Sequence, residues 1–310
     1  MHISLDEINS IISKPETKAV LDEINTKYEI NITSSDLLAW GGQGLIFKSK
    51  NNENTQNIII KIPIYSSTKD KTIIEHTMLK EAQVYEFATM NNISCVPTLL
   101  SFSADGKYLI HSYVEGENLR DYIKKHDMHN RKEVAQQEWK IATELFHFCH
   151  NHTPAYIIRD FKEKNIIITN DNRLFFIDFG SVRQEFSSSL SGTKKNKIGT
   201  NSFLHWPLEQ LIDTKSGNSK KSDYFSFGVM LYYTLYKEYP YTNKEKDFTL
   251  ANKIRNHEYM LLLQKLKKSY NNNEIQYIIY KILVCTLNPD FEKRSFFEYK
   301  ADYFSKINGN

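Results

Sequence analysis

The sequence predicts an α+β fold in which a small β-sheet with one helix precedes a larger, mainly helical part. Short β-branched and apolar runs, separated by glycine-containing turns, fill the first third of the chain after residue 37. Apolar residues at helical spacing dominate the remainder, and Tyr224 to Leu235 is apolar almost all round, which is typical of a buried helix. A chain of 310 residues can form one large or two medium domains.

The elements of the first third follow from local patterns. Residues 1–32 predict a polar, helical extension. Its pentapeptide Leu5 to Asn9 recurs at Leu21 to Asn25, which indicates either a coincidence of composition or two short helices. Residues 71–90 carry apolar side chains at helical spacing. The predicted strands are 37–40, 45–48, 57–64, 99–102 and 108–113.

The rest of the chain predicts helices around two short strands. Ala135 to Cys149 carries one apolar stripe, and strands are predicted at 165–169 and 174–177. Residues 181–205 lack periodicity and predict a long loop. Helical patterns continue from there to the end of the sequence.

Composition excludes several classes of protein. The formal charge of +3, from 40 basic and 37 acidic side chains, is too even to favour nucleic acid or a membrane surface as partner. Three dispersed cysteines do not predict a disulfide framework. Neither a signal peptide nor a spanning segment is visible, so we expect a cytoplasmic protein, although an effector secreted into a host would look the same.

A lysine and a glutamate are candidates for an ion pair. Lys61 lies in the apolar run Ile58 to Ile62, where an inward-pointing lysine needs a negative partner and an edge-strand lysine points to water. Glu81 lies on the next predicted helix, where a solvated position is the alternative. The residue types alone leave both possibilities open.

The segment from Arg159 to Asn165 combines three groups suited to phosphoryl transfer. Asp160 can accept a hydroxyl proton, Lys162 can neutralise a transferring phosphoryl group, and Asn165 can bind Mg²⁺. A charged surface turn fits less well because isoleucines precede and follow the segment.

Two further motifs suit phosphate and metal binding. Asp178-Phe179-Gly180 follows an apolar strand directly, which suits a metal ligand or an ordinary turn. Gly41-Gly42-Gln43-Gly44 lies between two strands, where backbone N–H groups can approach phosphate or form a plain hairpin.

Taken in order, these motifs resemble the signature set of the eukaryotic-type protein kinase superfamily, and most closely a bacterial-type serine/threonine protein kinase. The resemblance covers about residues 37–305 and continues past the active site. Gly199-Thr200 resembles the end of an activation segment, Ser222 to Gly228 resembles the start of a buried helix, and Arg294 would pair with Glu209.

The resemblance implies a two-lobed kinase-like fold with an extension at 1–32, an N-lobe at 33–114 and a C-lobe at 115–308. It implies ATP and Mg²⁺ as cofactors. The implied catalytic residues are Asp160, Lys162, Lys61 and Glu81, and the implied metal ligands are Asn165 and Asp178. The implied nucleotide-binding residues are Ala39, Gly41, Gly42, Gly44, Ile46, Lys61, Ser112, Tyr113 and Val114.

The resemblance also implies a protein substrate and serine/threonine specificity, because Lys162 and Thr200 match that type. Arg159 implies control by phosphorylation of the activation loop, which two copies of the chain could carry out during transient self-association. The alternative is a polar loop whose hydroxyl groups are never phosphorylated. The candidate hydroxyls are those of Ser187, Ser188, Ser189, Ser191 and Thr193.

Four positions depart from the family pattern. Ala39 replaces a glycine, Ile158 replaces a histidine, Leu208 is an extra residue, and His111 puts a polar group at the back of the adenine pocket.

Two other functions fit the same sequence: a pseudokinase that acts as a scaffold, and a small-molecule kinase. Filled catalytic positions disfavour the first, and the segment from Gly199 to Glu209 disfavours the second. The cluster of His147, Cys149, His150 and His152 fits no zinc spacing well.

Overall fold

A computed structural model describes residues 5–41, 44–50, 56–65, 68–185, 204–211, 218–242, 248–269 and 274–300. The chain divides into two compact units, one comprising residues 1–115 with 178–180 and the other 116–177 with 181–310. The first contains an antiparallel sheet with helices, and the second is mainly helical. The predicted α+β class is therefore confirmed.

The first unit is built on a five-stranded antiparallel sheet with the order β1-β2-β3-β5-β4. Its elements are α1 (Leu5–Ile12), α2 (Pro15–Tyr28), β1 (Leu37–Gly41), β2 (Gly44–Lys50), β3 (Asn57–Ile62), α3 (Thr68–Met90), β4 (Leu99–Phe102) and β5 (Leu109–Ser112). Strand β3 is central, and side chains on it alternate between the two faces.

Helix α2 supplies part of the core of this unit. Pro15 at its first turn suits helix initiation, because the missing N–H has no partner there anyway. Val20, Leu21 and Ile24 are buried in a cluster with apolar side chains of β2, β3 and β5. Two separate helices therefore occupy the predicted extension, and the second packs on the sheet.

We expect Ile24→Ala to lower the free energy of unfolding by about 2–4 kcal/mol, because Ile24 is 0% exposed and its removal leaves a cavity against the sheet. Urea denaturation measures the change. Glu23→Ala, one residue away on the exposed side of α2, is the matched control and should stay within about 0.5 kcal/mol of the parent. Equal losses in both variants would contradict the packing role.

The second unit surrounds helix α7, which is buried on nearly all sides. Its elements are β6 (Glu117–Asn118), α4 (Leu119–Lys125), α5 (Met128–His150), β7 (Tyr156–Ile157), β8 (Ile166–Ile168), β9 (Leu174–Phe176), β10 (Arg183–Gln184), α6 (Leu208–Leu211), α7 (Lys220–Tyr236), α8 (Phe248–Ser269) and α9 (Glu274–Thr286). Gly228 lets α7 approach α9 closely, since a Cβ there would lie 2.3 Å from Oγ1 of Thr286.

Two predictions for this unit need correction. Arg183–Gln184 forms a short strand paired with β7 inside the predicted loop, and residues 186–203 of that loop lie outside the described part. Helical structure also stops earlier than predicted: residues 287–300, all described, contain only one short 3₁₀ turn at Phe291–Lys293. Pro289 explains the stop, because proline cannot continue a helix.

Candidate active site

Lys61 holds two carboxylates together in the first unit. Its side chain leaves β3 on the face opposite to that of Ile60 and Ile62, which pack in the α2 cluster. The Lys61 Nζ donates to both carboxylate oxygens of Glu81 on α3 at 2.8 Å, and to Oδ1 of Asp178 at 3.2 Å. Lys61 and Glu81 are both buried, so neither the edge-strand nor the solvated-helix alternative holds.

Burial and the neighbouring charges shift the pKa values of Lys61 and Glu81 in this cluster. Burial opposes the charge on Lys61, but the carboxylates of Asp178 and Glu81 outweigh it and raise the pKa of Lys61. Burial, helped by the charge on Asp178, raises the pKa of Glu81 to about 7 despite the opposing pull of Lys61. Two carboxylates share one ammonium group, and the Asp178 side chain is 25% exposed. A partly exposed carboxylate beside a buried ammonium group suits a divalent cation such as Mg²⁺.

Asp160, Lys162 and Asn165 meet within the loop between β7 and β8. The Lys162 Nζ lies 2.6 Å from Oδ2 of Asp160. Nδ2 of Asn165 donates to the carbonyl oxygen of Asp160 at 2.9 Å and to its Oδ2 at 3.2 Å. The amide nitrogen of Asn165 is thus engaged, and its amide oxygen is the atom suited to a metal. Ile177 N–H donates to the Asn165 carbonyl at 2.9 Å, and Asp178 is the next residue along the chain.

Asp223 at the start of α7 fixes the beginning of this loop. Its carboxylate accepts from the backbone N–H groups of Ile158 at 2.8 Å and Arg159 at 2.7 Å. Nε2 of His150 lies 2.9 Å from the same carboxylate. The Ile158 side chain is fully buried, so burial and the hydrogen bonds of Asp223 orient the loop at this position. His150, part of the histidine-rich cluster noted in the sequence, serves as a hydrogen-bond partner.

Glu163 anchors the same loop from the other side. It is 0% exposed, its Oε2 lies 2.6 Å from Nε2 of His205, and its Oε1 accepts from the Tyr239 hydroxyl at 3.0 Å. Burial alone would raise its pKa, but the charge and hydrogen bond of His205 hold the pKa of Glu163 down at about 2. The contact between Glu163 and His205 therefore connects the loop to the segment just before Pro207.

This pKa predicts a dependence of stability on pH. A carboxyl whose pKa is lowered by folding stabilises the native state fully above its ordinary pKa of 4.5. That contribution, up to about 3 kcal/mol, should fall away as the pH drops from 4.5 towards 2. Urea unfolding across this range should give a shallower dependence for Glu163→Gln than for the parent. Parallel curves for the two proteins would show that Glu163 does not contribute.

The glycine-rich turn is described only in part. Gly41 pairs with Gly44, and Ala39 pairs with Ile46 across β1 and β2, while Gly42 lies outside the described residues. Gly44 has φ +150°, and a Cβ there would lie 2.4 Å from the Ile62 carbonyl oxygen. The close approach of β2 to β3 therefore requires glycine at this position.

In the segment after β5, one backbone N–H group already has a hydrogen-bond partner. Tyr113 N–H donates to the carbonyl of Asn57 at 3.0 Å, so it is not available to adenine. The carbonyl of Ser112 and the amide of Val114 are the remaining candidates of the predicted three. His111 is buried, its Nδ1 lies 2.9 Å from the Ser112 carbonyl, and burial lowers the pKa of His111 to about 4. A neutral imidazole therefore faces this segment near pH 7.

Aromatic contacts tie the Asp178-Phe179-Gly180 motif to α3. Tyr85 stacks on His111 with 5.2 Å between ring centroids and meets Phe179 edge to face at 5.1 Å. Tyr85 is one helical turn after Glu81, so one face of α3 contacts Lys61 through Glu81 and Phe179 through Tyr85. The sequence pattern placed Tyr85 in the apolar stripe of this helix, but it gave no sign that Tyr85 contacts the motif.

The predicted pairing of Arg294 with Glu209 is confirmed. The Arg294 guanidinium binds the Glu209 carboxylate through two nitrogens, one of them 3.2 Å from Oε2. Arg255 of α8 donates to the Trp206 carbonyl at 3.1 Å. These contacts hold the segment that contains Leu208, whereas Gly199 and Thr200 lie outside the described residues.

Comparison with known proteins identifies the family. The model of the protein kinase domain matches residues 33–302. The chain belongs to the protein kinase family. The resemblance noted in the sequence is therefore confirmed, and it now covers most of this kinase chain.

Several curated kinases are similar to this one. A probable serine/threonine-protein kinase of Clostridium acetobutylicum is 24% identical over 65% of this chain and 29% of its own length. Human ribosomal protein S6 kinase alpha-2 is 22% identical over 78% of this chain and 33% of its own. Human receptor-interacting serine/threonine-protein kinase 1 is 30% identical over 61% of this chain and 29% of its own. The matches thus span about a third of each relative.

Two side chains that support the kinase loop were missed by sequence reasoning. Asp223 was read only as part of a helix start, and Glu163 only as part of a charged loop. No helix in the described part of the kinase combines the length and apolar character needed to cross a bilayer.

Proposed function

We propose that the protein is an ATP- and Mg²⁺-dependent protein kinase that phosphorylates serine or threonine. The observation that carries this proposal is the buried Lys61, held between Glu81 and Asp178 at 2.8 and 3.2 Å. A lysine that serves only stability has no need of a second, partly exposed carboxylate. The arrangement suits a site that orients phosphate groups and a cation.

The residues have distinct roles in this proposal. Glu81 fixes the ammonium group of Lys61, which binds the α- and β-phosphates. Asp178 and the amide oxygen of Asn165 hold Mg²⁺, which supplies neutralisation of phosphate charge when bound. Residues 39–46 cover the phosphates, and Ser112 and Val114 bind adenine through their backbone.

Transfer itself is proposed to depend on Asp160 and Lys162. The acceptor hydroxyl gives its proton to the Asp160 carboxylate as its oxygen bonds to the γ-phosphorus. The bond from that phosphorus to ADP breaks, and ADP carries away the electron pair. Lys162, 2.6 Å from Asp160 in the free protein, is close enough to neutralise the phosphoryl group during transfer.

Serine/threonine specificity is supported by Lys162 and by the similarity to kinases that are named serine/threonine-protein kinases. Protein substrates, including a second copy of the chain during autophosphorylation, are part of the proposal. Arg159 and the hydroxyls at residues 187–193 make loop phosphorylation the proposed form of control.

Incubation of the purified protein with radiolabelled ATP and Mg²⁺ tests the proposal. We expect label on the protein itself and on added protein acceptors, with phosphoserine or phosphothreonine after hydrolysis. Asp160→Asn is the control and should transfer at least about 100-fold more slowly. Nucleotide binding without transfer would favour a scaffold, transfer only to small molecules would favour the other alternative, and predominant phosphotyrosine would overturn the specificity.

A further inference from the structure

Two residues with cationic side chains are brought together by Asn118, one on α4 and one in the loop that carries Asp160. Asn118, just before α4, accepts from Arg120 N–H through Oδ1 at 3.1 Å. Its Nδ2 donates to the Lys164 carbonyl at 2.7 Å. One side chain therefore fastens the first turn of α4 to the residue four positions after Asp160. We call Arg120 and Lys164 the cationic pair.

The cationic pair lacks a matching pair of carboxylates. Lys164 is exposed and makes no ion pair with any described acidic residue. Arg120 makes a long ion pair with Glu163, with 3.9 Å between Nε and Oε1. Glu163 is already engaged by His205 and Tyr239, and Nε of Arg120 has no hydrogen-bond partner among the described residues.

The other acids nearby are also engaged. Asp121 pairs with Lys124 at 2.9 Å, and Glu117 pairs with Lys125 at 2.5 Å. The positive charge of Lys164 therefore has no ion-pair partner among the described residues, and that of Arg120 has only the long contact with Glu163. Such charge is repulsive within the protein and attractive to an anionic partner.

The position of Lys164 relative to the reacting group follows from the same contacts. Lys164 lies two residues after Lys162, in the short 3₁₀ turn Glu163–Asn165. Lys162 in turn touches Asp160 at 2.6 Å. Lys164 therefore lies in the same short loop as the carboxylate that would deprotonate an acceptor hydroxyl.

We propose that the cationic pair is a substrate-selecting subsite, which favours acceptor serines or threonines flanked by anionic side chains in a protein substrate. This inference rests on the proposed kinase function and adds the substrate class. The anion can be the carboxylate of Asp or Glu, or the phosphate of an already phosphorylated residue. Either one relieves the repulsion between Arg120 and Lys164 when it binds.

Peptides that differ only in the residue beside the acceptor serine test the inference. The flanking residue is Glu, phosphoserine, Gln or Lys, placed in turn at each position around the serine. We expect kcat/KM to be about tenfold higher for the best Glu peptide than for its Gln counterpart at low salt. The preference should shrink as ionic strength rises, because salt screens exposed charges. A larger gain with phosphoserine would identify prior phosphorylation as the source of the anion.

Variants assign the preference to Lys164. In Lys164→Glu, kcat/KM for the Glu peptide should be no higher than for the Gln peptide, or the Lys peptide should become the best substrate. Lys164→Arg should keep the preference for the Glu peptide. Lys140→Glu places the same charge change on an exposed lysine of α5 and should leave both the ratio and the rate unchanged. Equal rates for Glu and Gln peptides, or an unchanged ratio in Lys164→Glu, would overturn the inference.

A binding measurement separates this inference from the proposed function. Fluorescence anisotropy of labelled Glu and Gln peptides on Asp160→Asn needs no turnover. Selective binding that is lost on adding Lys164→Glu supports the subsite even where transfer is absent, in which case only the kinase proposal fails. Transfer without selective binding or selective rates leaves the kinase proposal intact and contradicts the subsite.

Discussion

Lys61→Met should reduce phosphoryl transfer by a factor on the order of 10³ while leaving the protein folded. The ammonium group of Lys61 contacts both Glu81 and Asp178. Its loss removes a fixed positive charge from the phosphates and leaves two carboxylates facing each other. Methionine fills a similar volume, and burial already raises the pKa of Glu81, so this carboxyl can take up a proton instead.

Single-turnover transfer from ATP, at saturating Mg²⁺, measures this effect directly. Lys61→Arg is the matched control for charge, since it keeps the positive group but changes its shape and should recover little transfer. Circular dichroism and thermal unfolding check that both variants remain folded. Transfer by Lys61→Met at the rate of the parent protein would contradict the assignment of Lys61 to the phosphates.

Asp223→Ala should lower the free energy of unfolding by about 3–5 kcal/mol. Asp223 is 0% exposed and accepts from two backbone N–H groups, those of Ile158 and Arg159, while also bonding His150. Alanine leaves all three groups buried without their partner. Because the same N–H groups begin the loop that positions Asp160, transfer should fall by at least about 100-fold in protein that is still folded.

Urea denaturation and steady-state transfer, both measured below the unfolding transition, test this prediction. Asp171→Ala is the matched control, because Asp171 is an exposed aspartate in the turn between β8 and β9 whose partners, Thr169 and Arg173, lie at the surface. It should change stability by less than about 1 kcal/mol. If Asp223→Ala unfolded at the same urea concentration as Asp171→Ala, the buried hydrogen bonds would not support the loop as described.

Local sequence patterns were sufficient for most of the fold. The apolar run around Lys61 predicts β3, and the spacing from Ile74 to Ala88 predicts α3, because both patterns reflect burial on a repeating geometry. Collinear motifs also predicted the contact between Lys61 and Glu81. Twenty residues separate them in sequence, but the strand and the helix that carry them are adjacent elements.

Long-range polar contacts could not be predicted in the same way. Glu163 meets His205, 42 residues away, and neither position has a periodic or compositional signal. The short strand at Arg183–Gln184 depends on pairing with β7 rather than on its own residues. The cationic pair likewise depends on Asn118, whose two hydrogen bonds appear only when α4 and the loop are placed together.

The burial of α2 on the sheet has a practical consequence for anyone who expresses this protein in pieces. The family match starts at residue 33, yet Val20, Leu21 and Ile24 complete the apolar layer of β2, β3 and β5. A fragment that starts at residue 33 would expose that apolar layer to water, and an exposed apolar patch of this kind promotes aggregation. Recombinant catalytic fragments should therefore begin ahead of Pro15.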